Sequence, residues 1–224
     1  MIFESLQELQ GQLATFVGDV DPASAQGRKR RRLLDAALER FTVNGYRKAS
    51  IDEVARQAGV AKGTVYLYFA TKAELLLAVV ASEKLRGLAA MEPVFEVGID
   101  ARERLRRWVT GGLVMVAGSP LLARLIGGDE DIRTAFAELD PALVAAAQTD
   151  HDVFFGALID AAAGPGRLDD QQRRERKQVL DGLRYFAPLL RSEHVRGHLP
   201  VERFAAVLAA LLIDGIAAPI GAAV

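Results

Sequence analysis

IDEVARQAGVAKGTVYLYF, residues 51–69, reads as two short helical periods hinged on a glycine. Two helices that cross steeply need a small residue where their axes approach, and Ala55 stands there. The turn between them needs a residue that tolerates φ > 0, and Gly59 follows four residues later. The second helix needs an apolar anchor pointing inward, and Val65 follows six residues after that. Val54, Ala58 and Val60 complete a small core. Constraints met at these fixed offsets specify a helix-turn-helix over residues 50–69.

Both ends of the motif are marked. Ser50 and Glu53 have the S-x-x-E spacing of a capping box, and Thr71 with Glu74 repeats it at the start of the next helix. Upstream, Leu33, Leu34, Ala37, Leu38 and Phe41 share one face of a helix predicted from about Arg28 to Asn44, with Gly45 as its left-handed stop. Residues 21–27, DPASAQG, read as a linker. Before it, Ile2, Leu6, Leu9, Leu13, Phe16 and Val20 alternate at spacings of four and three, an amphipathic helical stripe with no basic residue.

Downstream the period stays helical. Helices are expected near 72–90, 100–117, 119–127, 130–137, 141–163, 169–191 and 200–216, with Pro188 kinking or shortening the one that contains it. No alternating strand pattern stands out, so the fold class is all-α. The expected divisions are 1–27, an N-terminal amphipathic helix and linker; 28–88, a helical domain that holds the helix-turn-helix; and 89–224, a second helical domain.

Charge divides along the same line. Residues 28–72 hold eleven Lys and Arg against four Asp and Glu, a net of +7 in a chain whose total is −1. A basic block on an acidic body suits a domain that faces a polyanion; the alternative is a solvated helix face. Lys62 and Lys72 lie at helix N-termini, where the macrodipole disfavours a cation unless an anion joins it. The absence of cysteine rules out a disulfide framework, a thiolate zinc site, an iron–sulfur cluster and a cysteine nucleophile. Residues 1–27 lack the Lys or Arg of a signal-peptide n-region, and the most apolar stretch, Phe204–Ile213, is about half a bilayer span, so a cytoplasmic protein is expected.

RRRLLDAALERFTVNGYRKASIDEVARQAGVAKGTVYLYFATKAELL, residues 30–76, resembles the DNA-binding domain of TetR/AcrR-family transcriptional regulators. F-x-x-x-G-Y, I-x-x-V-A-x-x-A-G-V, K-G-T-V-Y-x-Y-F and K-x-E-L carry the likeness. It implies that Ser50 touches phosphate as well as capping its helix. It implies that Lys62, Gly63 and Thr64 open the recognition helix, with Gly63 admitting the backbone close to DNA. It implies phosphate contacts for Tyr66 and Tyr68, one of them partly buried, and for Lys72, with Val65 and Phe69 in the core. Arg47 and Lys48 are either backbone contacts or a solvated loop. Many relatives carry Ser or Thr where this chain has Ala61, which leaves the recognition helix without that cap. The Arg28–Arg32 run is either a minor-groove arm or the solvated first turns of a helix, with Arg28 and Lys29 favoured as DNA contacts.

The same resemblance implies that the rest of the chain binds a small-molecule effector and forms a homodimer on a pseudo-palindromic double-stranded DNA operator, most simply as a repressor released by its effector. The interface is expected from 169–191 and 200–216, where Val201, Phe204, Ala205, Leu208, Leu211, Leu212 and Gly215 leave apolar surface on more than one side. Trp108, Met115, His151, Phe154, Phe155 and Tyr185 are the candidate effector-pocket residues; the large apolar ones among them suit a core equally well, and Phe186 belongs with them. His194 and His198 have i, i+4 spacing, but Gly197 and Leu199-Pro200 favour a helix end over a metal site, so no metal and no cofactor are expected. No nucleophile elbow, Walker loop, dinucleotide glycine fingerprint or zinc-protease motif supports an enzyme. A helical interaction module without DNA binding is the other rival, and the coincidence of the +7 segment with the helix-turn-helix argues against it.

Overall fold

The computed structural model describes residues 2–18, 21, 23–164 and 166–214, without the side chains of 2–6, 8, 9, 12, 93, 143 and 145–153. Among the described residues there is no strand. The helices are α1 (Ile2–Val17), α2 (Ala25–Lys48), α3 (Ile51–Ala58), α4 (Lys62–Tyr68), α5 (Lys72–Ala90), α6 (Ala101–Gly118), α7 (Pro120–Ile126), α8 (Glu130–Ala137), α9 (Pro141–Ala163), α10 (Asp170–Phe186), α11 (Glu193–Arg196) and α12 (Val201–Asp214). Two 3-10 segments, Glu92–Phe95 and Ala187–Arg191, interrupt them.

Several boundaries differ from the sequence reading, each for a local reason. Helix α2 starts earlier than Arg28 because the Ser24 side chain accepts from the Gly27 N–H at 2.9 Å, drawing half of the expected linker into the helix. Gly45 (φ 76, ψ 162) leaves helical geometry where the stop is expected, and a further turn follows it to Lys48. Ser50 caps α3 through the Asp52 N–H (3.2 Å) rather than the Glu53 N–H of a capping box. At α5, Thr71 Oγ1 accepts from the Glu74 N–H at 3.0 Å, while the Glu74 carboxylate reaches back to the Ala70 N–H, also 3.0 Å, one residue beyond the expected donor. Pro188 ends α10 at Phe186, and the chain continues as the 3-10 segment Ala187–Arg191. Val20, the last position of the N-terminal stripe, and Gly215 lie outside the described residues.

The chain divides into two compact units: residues 8–86 with 119–149, and residues 1–7 with 87–118 and 150–224. In the first, α2 packs on α3, α7 and α8, and α3 packs on α4. Leu33, Phe41, Val54, Leu75, Leu76 and Ile132 are fully buried there. Burying each such side chain stabilises by about 1.5–3 kcal/mol. Arg124 of α7 ties the layers together: Nη1 donates to the Phe41 carbonyl (3.1 Å) and Nε to Asp129 Oδ2 (2.9 Å). Asp129 in turn caps α8 by accepting from the Ile132 N–H at 3.1 Å. The second half of α1 belongs to this unit. Leu13 is buried, and Phe16 packs with Phe136 and Val144 against Ala73, Leu77 and Leu139.

In the second unit α6 is the central helix, packed by α12, α10 and both 3-10 segments. The stripe Ala205, Ala209 and Ile213 turns inward from α12 at helical spacing, and Leu105, Leu158, Ile159 and Leu190 fill the core. Arg191 Nη1 donates to the Ala117 carbonyl at 2.9 Å, anchoring the 3-10 segment to the end of α6. Gly197 (φ 62) ends α11 between His194 and His198, so the two histidines do not share a helix. Among the described residues no single helix is long and apolar enough to cross a membrane.

Candidate nucleic-acid interface

Gly59 adopts the left-handed conformation (φ 68, ψ 40) that the motif demands, and nothing lies within 4 Å of where its Cβ would sit. The turn alone therefore requires glycine here. Ala55, Val54 and Ala58 are buried on α3, and Val65 anchors α4 in the core. Once Val65 points inward, the rest of α4 follows at 100° per residue. Tyr68 and Phe69, three and four residues on, turn inward; Phe69 is buried and Tyr68 half-buried. Gly63 and Leu67, two residues either side of Val65, occupy the outermost face. Leu67 is 86% exposed and Tyr66 46%. A Cβ at Gly63 would meet nothing within 4 Å, so the fold places no demand for glycine at that position.

Helix α4 thus stands outward as a recognition helix must. Ala61, its N-cap, makes no side-chain cap hydrogen bond. Lys62 Nζ donates to Asp52 Oδ2 at 2.8 Å, and that hydrogen bond, followed by the charge of Asp52, lifts the Lys62 pKa above its ordinary value. Thr64 is half-buried, and its N–H donates to the Ala61 carbonyl at 2.9 Å. Ser50 is committed to its cap. Arg47 and Lys48 are exposed at the end of α2, with Arg47 Nε 3.7 Å from Asp131. Lys72 folds back: Nζ donates to the Arg47 carbonyl (3.2 Å) and lies 4.5 Å from the Tyr46 ring centroid. Burial there presses the Lys72 pKa below its ordinary value.

On this face the sequence reading missed Leu67 and Asp52. Leu67 was legible from the position of Val65 alone, since a residue two steps along a helix faces the opposite side. Asp52 was not, because its role depends on how α3 and α4 cross. Within the basic run, Arg31 and Arg32 are exposed and Arg28 donates to the Ala23 carbonyl, whereas Arg30 turns inward and donates through Nε to the Val17 carbonyl.

The candidate effector residues fall into separate places in the second unit. Trp108 and Phe154 are buried and meet edge to face with centroids 4.7 Å apart; Phe95, from the 3-10 segment, completes the cluster at 6.3 and 6.0 Å. Phe95 was overlooked because Pro93 reads as punctuation rather than packing. Phe155 is buried, and Met115 occupies the space that a side chain at Gly87 would need. Tyr185 is 59% exposed on α10 beneath the Arg184 guanidinium, and Phe186 stacks on Phe204 at 6.4 Å. The His151 side chain lies outside the described residues.

An outward helix on a basic three-helix platform defines a helix-turn-helix protein. Residues 33–79 match the family model described as bacterial regulatory proteins, tetR family. The fatty acid metabolism regulator protein of Bacillus subtilis is 33% identical over 95 residues, 42% of this chain and 49% of that protein. The HTH-type transcriptional repressor KstR of Mycolicibacterium smegmatis is 29% identical over 157 residues, 70% of this chain and 72% of that one. The match to the Bacillus relative thus spans about half that relative's length. The solved structure of the transcriptional regulator FadR from Bacillus subtilis, in complex with stearoyl-CoA, has a TM-score of 0.55 and 21% identity, covering 85% of this chain and 98% of that chain. That likeness is one of fold. The likeness to the tetR family is thus carried by residues 33–79, the segment that holds the helix-turn-helix.

Proposed function

We propose that the protein is a ligand-responsive transcriptional regulator of the cytoplasm that binds a pseudo-palindromic DNA operator as a homodimer and represses until a small molecule releases it. The observation that carries the reading is the outward face of α4, with Gly63, Tyr66 and Leu67 exposed beside Lys62 on a segment of net charge +7. Gly63 and Leu67 are placed to approach base edges, and Tyr66, Arg47 and Lys48 to meet phosphates. Ser50, Thr64 and Lys72 complete the DNA-facing set, with Lys72 leaving the Arg47 carbonyl to reach a phosphate, while Tyr68 turns inward and supports α4.

Dimerisation is assigned to α10 and α12. Val179, Tyr185, Val207 and Leu211 leave apolar surface exposed there, while the opposite side of α12 is in the core. The effector is assigned to the second unit, around Trp108, Phe154 and Phe95, with Met115, Phe155, His151 and Tyr185 as the further candidates. An aromatic lining suits a ligand with a long apolar portion. The similarity to a fatty-acid regulator and to a fold that holds stearoyl-CoA supports a long-chain acyl compound as the first probe.

Retention on immobilised duplex DNA across a salt series tests the DNA-binding core of the reading. Binding should weaken linearly in log K against log salt with a slope of several units. Retention that does not respond to salt overturns it. Stearoyl-CoA should then release the protein from its operator.

A further inference from the structure

The inward turn of Arg30 brings three parts of the first unit to one guanidinium. Its Nε donates to the carbonyl of Val17, the last residue of α1. Its Cζ lies 4.5 Å from the Phe69 ring centroid and 5.6 Å from that of Tyr68, at the exit of the recognition helix. Gly18, next along the chain, has φ +94, and a Cβ there would sit 2.6 Å from Arg30 Cζ. The end of α1 is held in place independently, by buried Leu13 and by Phe16 against Ala73, Leu77 and Leu139. A planar, weakly hydrated guanidinium suits this position. It stacks on rings while donating in its own plane, and the carbonyl end of a helix favours a cation.

We infer that Arg30 is a positioning residue for DNA recognition: anchored by the Val17 carbonyl at the end of α1, it fixes the Tyr68–Phe69 ring pair and thereby the orientation in which α4 presents Tyr66 and Leu67. It does not itself contact DNA. The N-terminal segment acts through it, as a brace against which the recognition helix is set. The inference rests on the reading of α4 as the recognition helix.

The test uses full-length Arg30→Met, Phe16→Ser and the double variant on an operator duplex obtained with the wild-type protein. Arg30→Met should lower operator affinity about tenfold while leaving the slope of log K against log salt unchanged. Phe16→Ser should do the same, and the double variant should be no weaker than the worse single variant. Amide exchange should quicken at residues 66–70 while overall helicity holds. A slope reduced by about 0.9 in Arg30→Met marks a direct phosphate contact and overturns the inference. So do additive losses in the double variant, or unchanged affinity in a folded Arg30→Met protein. If Arg30→Met does not fold, Gly18→Ala, which displaces the guanidinium but keeps it, is read by the same criteria. Failure of the parent reading is distinguishable: the wild-type protein then shows no salt-dependent binding to any duplex, and the inference falls with it.

Discussion

Lys62 and Asp52 face each other across the helix-turn-helix at 2.8 Å, both well exposed. An exposed pair of this kind adds little stability. Its consequence is for binding, because Asp52 holds an acidic charge beside the surface assigned to DNA and occupies the lysine that would otherwise meet a phosphate. Asp52→Asn should therefore raise affinity for random duplex DNA roughly three- to tenfold and steepen the salt slope by about one, read by titrations at several salt concentrations. An unchanged slope would show that Lys62 never reaches phosphate. Tyr66→Phe removes one hydroxyl from an exposed ring and should weaken binding about fivefold on every sequence alike, since a phosphate contact positions the protein without reading bases. At this scale the motif was legible: Ala55 and Val65 turn inward and Gly59 makes the turn, each where the motif's geometry requires it. Arg30 was not. A basic run looks solvated in any sequence, and its acceptor at Val17 lies thirteen residues away across a chain reversal.

Helix ends and periods were legible because capping and hydrophobic spacing are local, as at Gly59, Thr71 and the start of α8. The packing of α7 and α8 onto α2 was not, because it depends on contacts such as Arg124 to the Phe41 carbonyl, 83 residues apart. The last turn of α2 shows the outcome. Past the break at Gly45, Tyr46 turns inward, tilted against Phe41 at 5.7 Å. Burial, then the charge of Glu138 and the hydrogen bond to it, push the Tyr46 pKa up to about 12. An unfolded tyrosine ionises near pH 10. Between these values the unfolded chain has released a proton that the folded chain keeps, so the stability from this group is full below about pH 10 and is lost as pH rises towards 12. Tyr46→Phe should lower stability at pH 7 by about 1 kcal/mol through the lost hydrogen bond. It should also remove this group's share of the alkaline decline. Thermal melts of both proteins from pH 8 to about pH 12 would check it; equally steep declines would place the alkaline sensitivity elsewhere.

Over the whole molecule, the split between a basic first segment and an acidic remainder was plain in the sequence, as was the all-α class. The effector was not, because large apolar side chains at helical spacing look the same whether they fill a core or line a cavity; Trp108 and Phe154 meet at 4.7 Å as a core pair would. The surface assigned to the dimer follows from α12, whose inward stripe of Ala205, Ala209 and Ile213 leaves Leu211 73% exposed. Leu211→Glu should place a charge in that interface, shift the protein to a monomer in sedimentation at micromolar concentration, and weaken operator binding by at least a hundredfold. A dimer unaffected by Leu211→Glu would move the interface elsewhere. Two recognition helices on a two-fold dimer must meet DNA at inverted half-sites about one helical turn, ~34 Å, or a multiple of it apart. Selection of bound sequences from random duplex DNA by the full-length protein tests this most directly. Enrichment of an inverted repeat with that spacing is the expected result; a bound pool no different in sequence from the starting pool would contradict it.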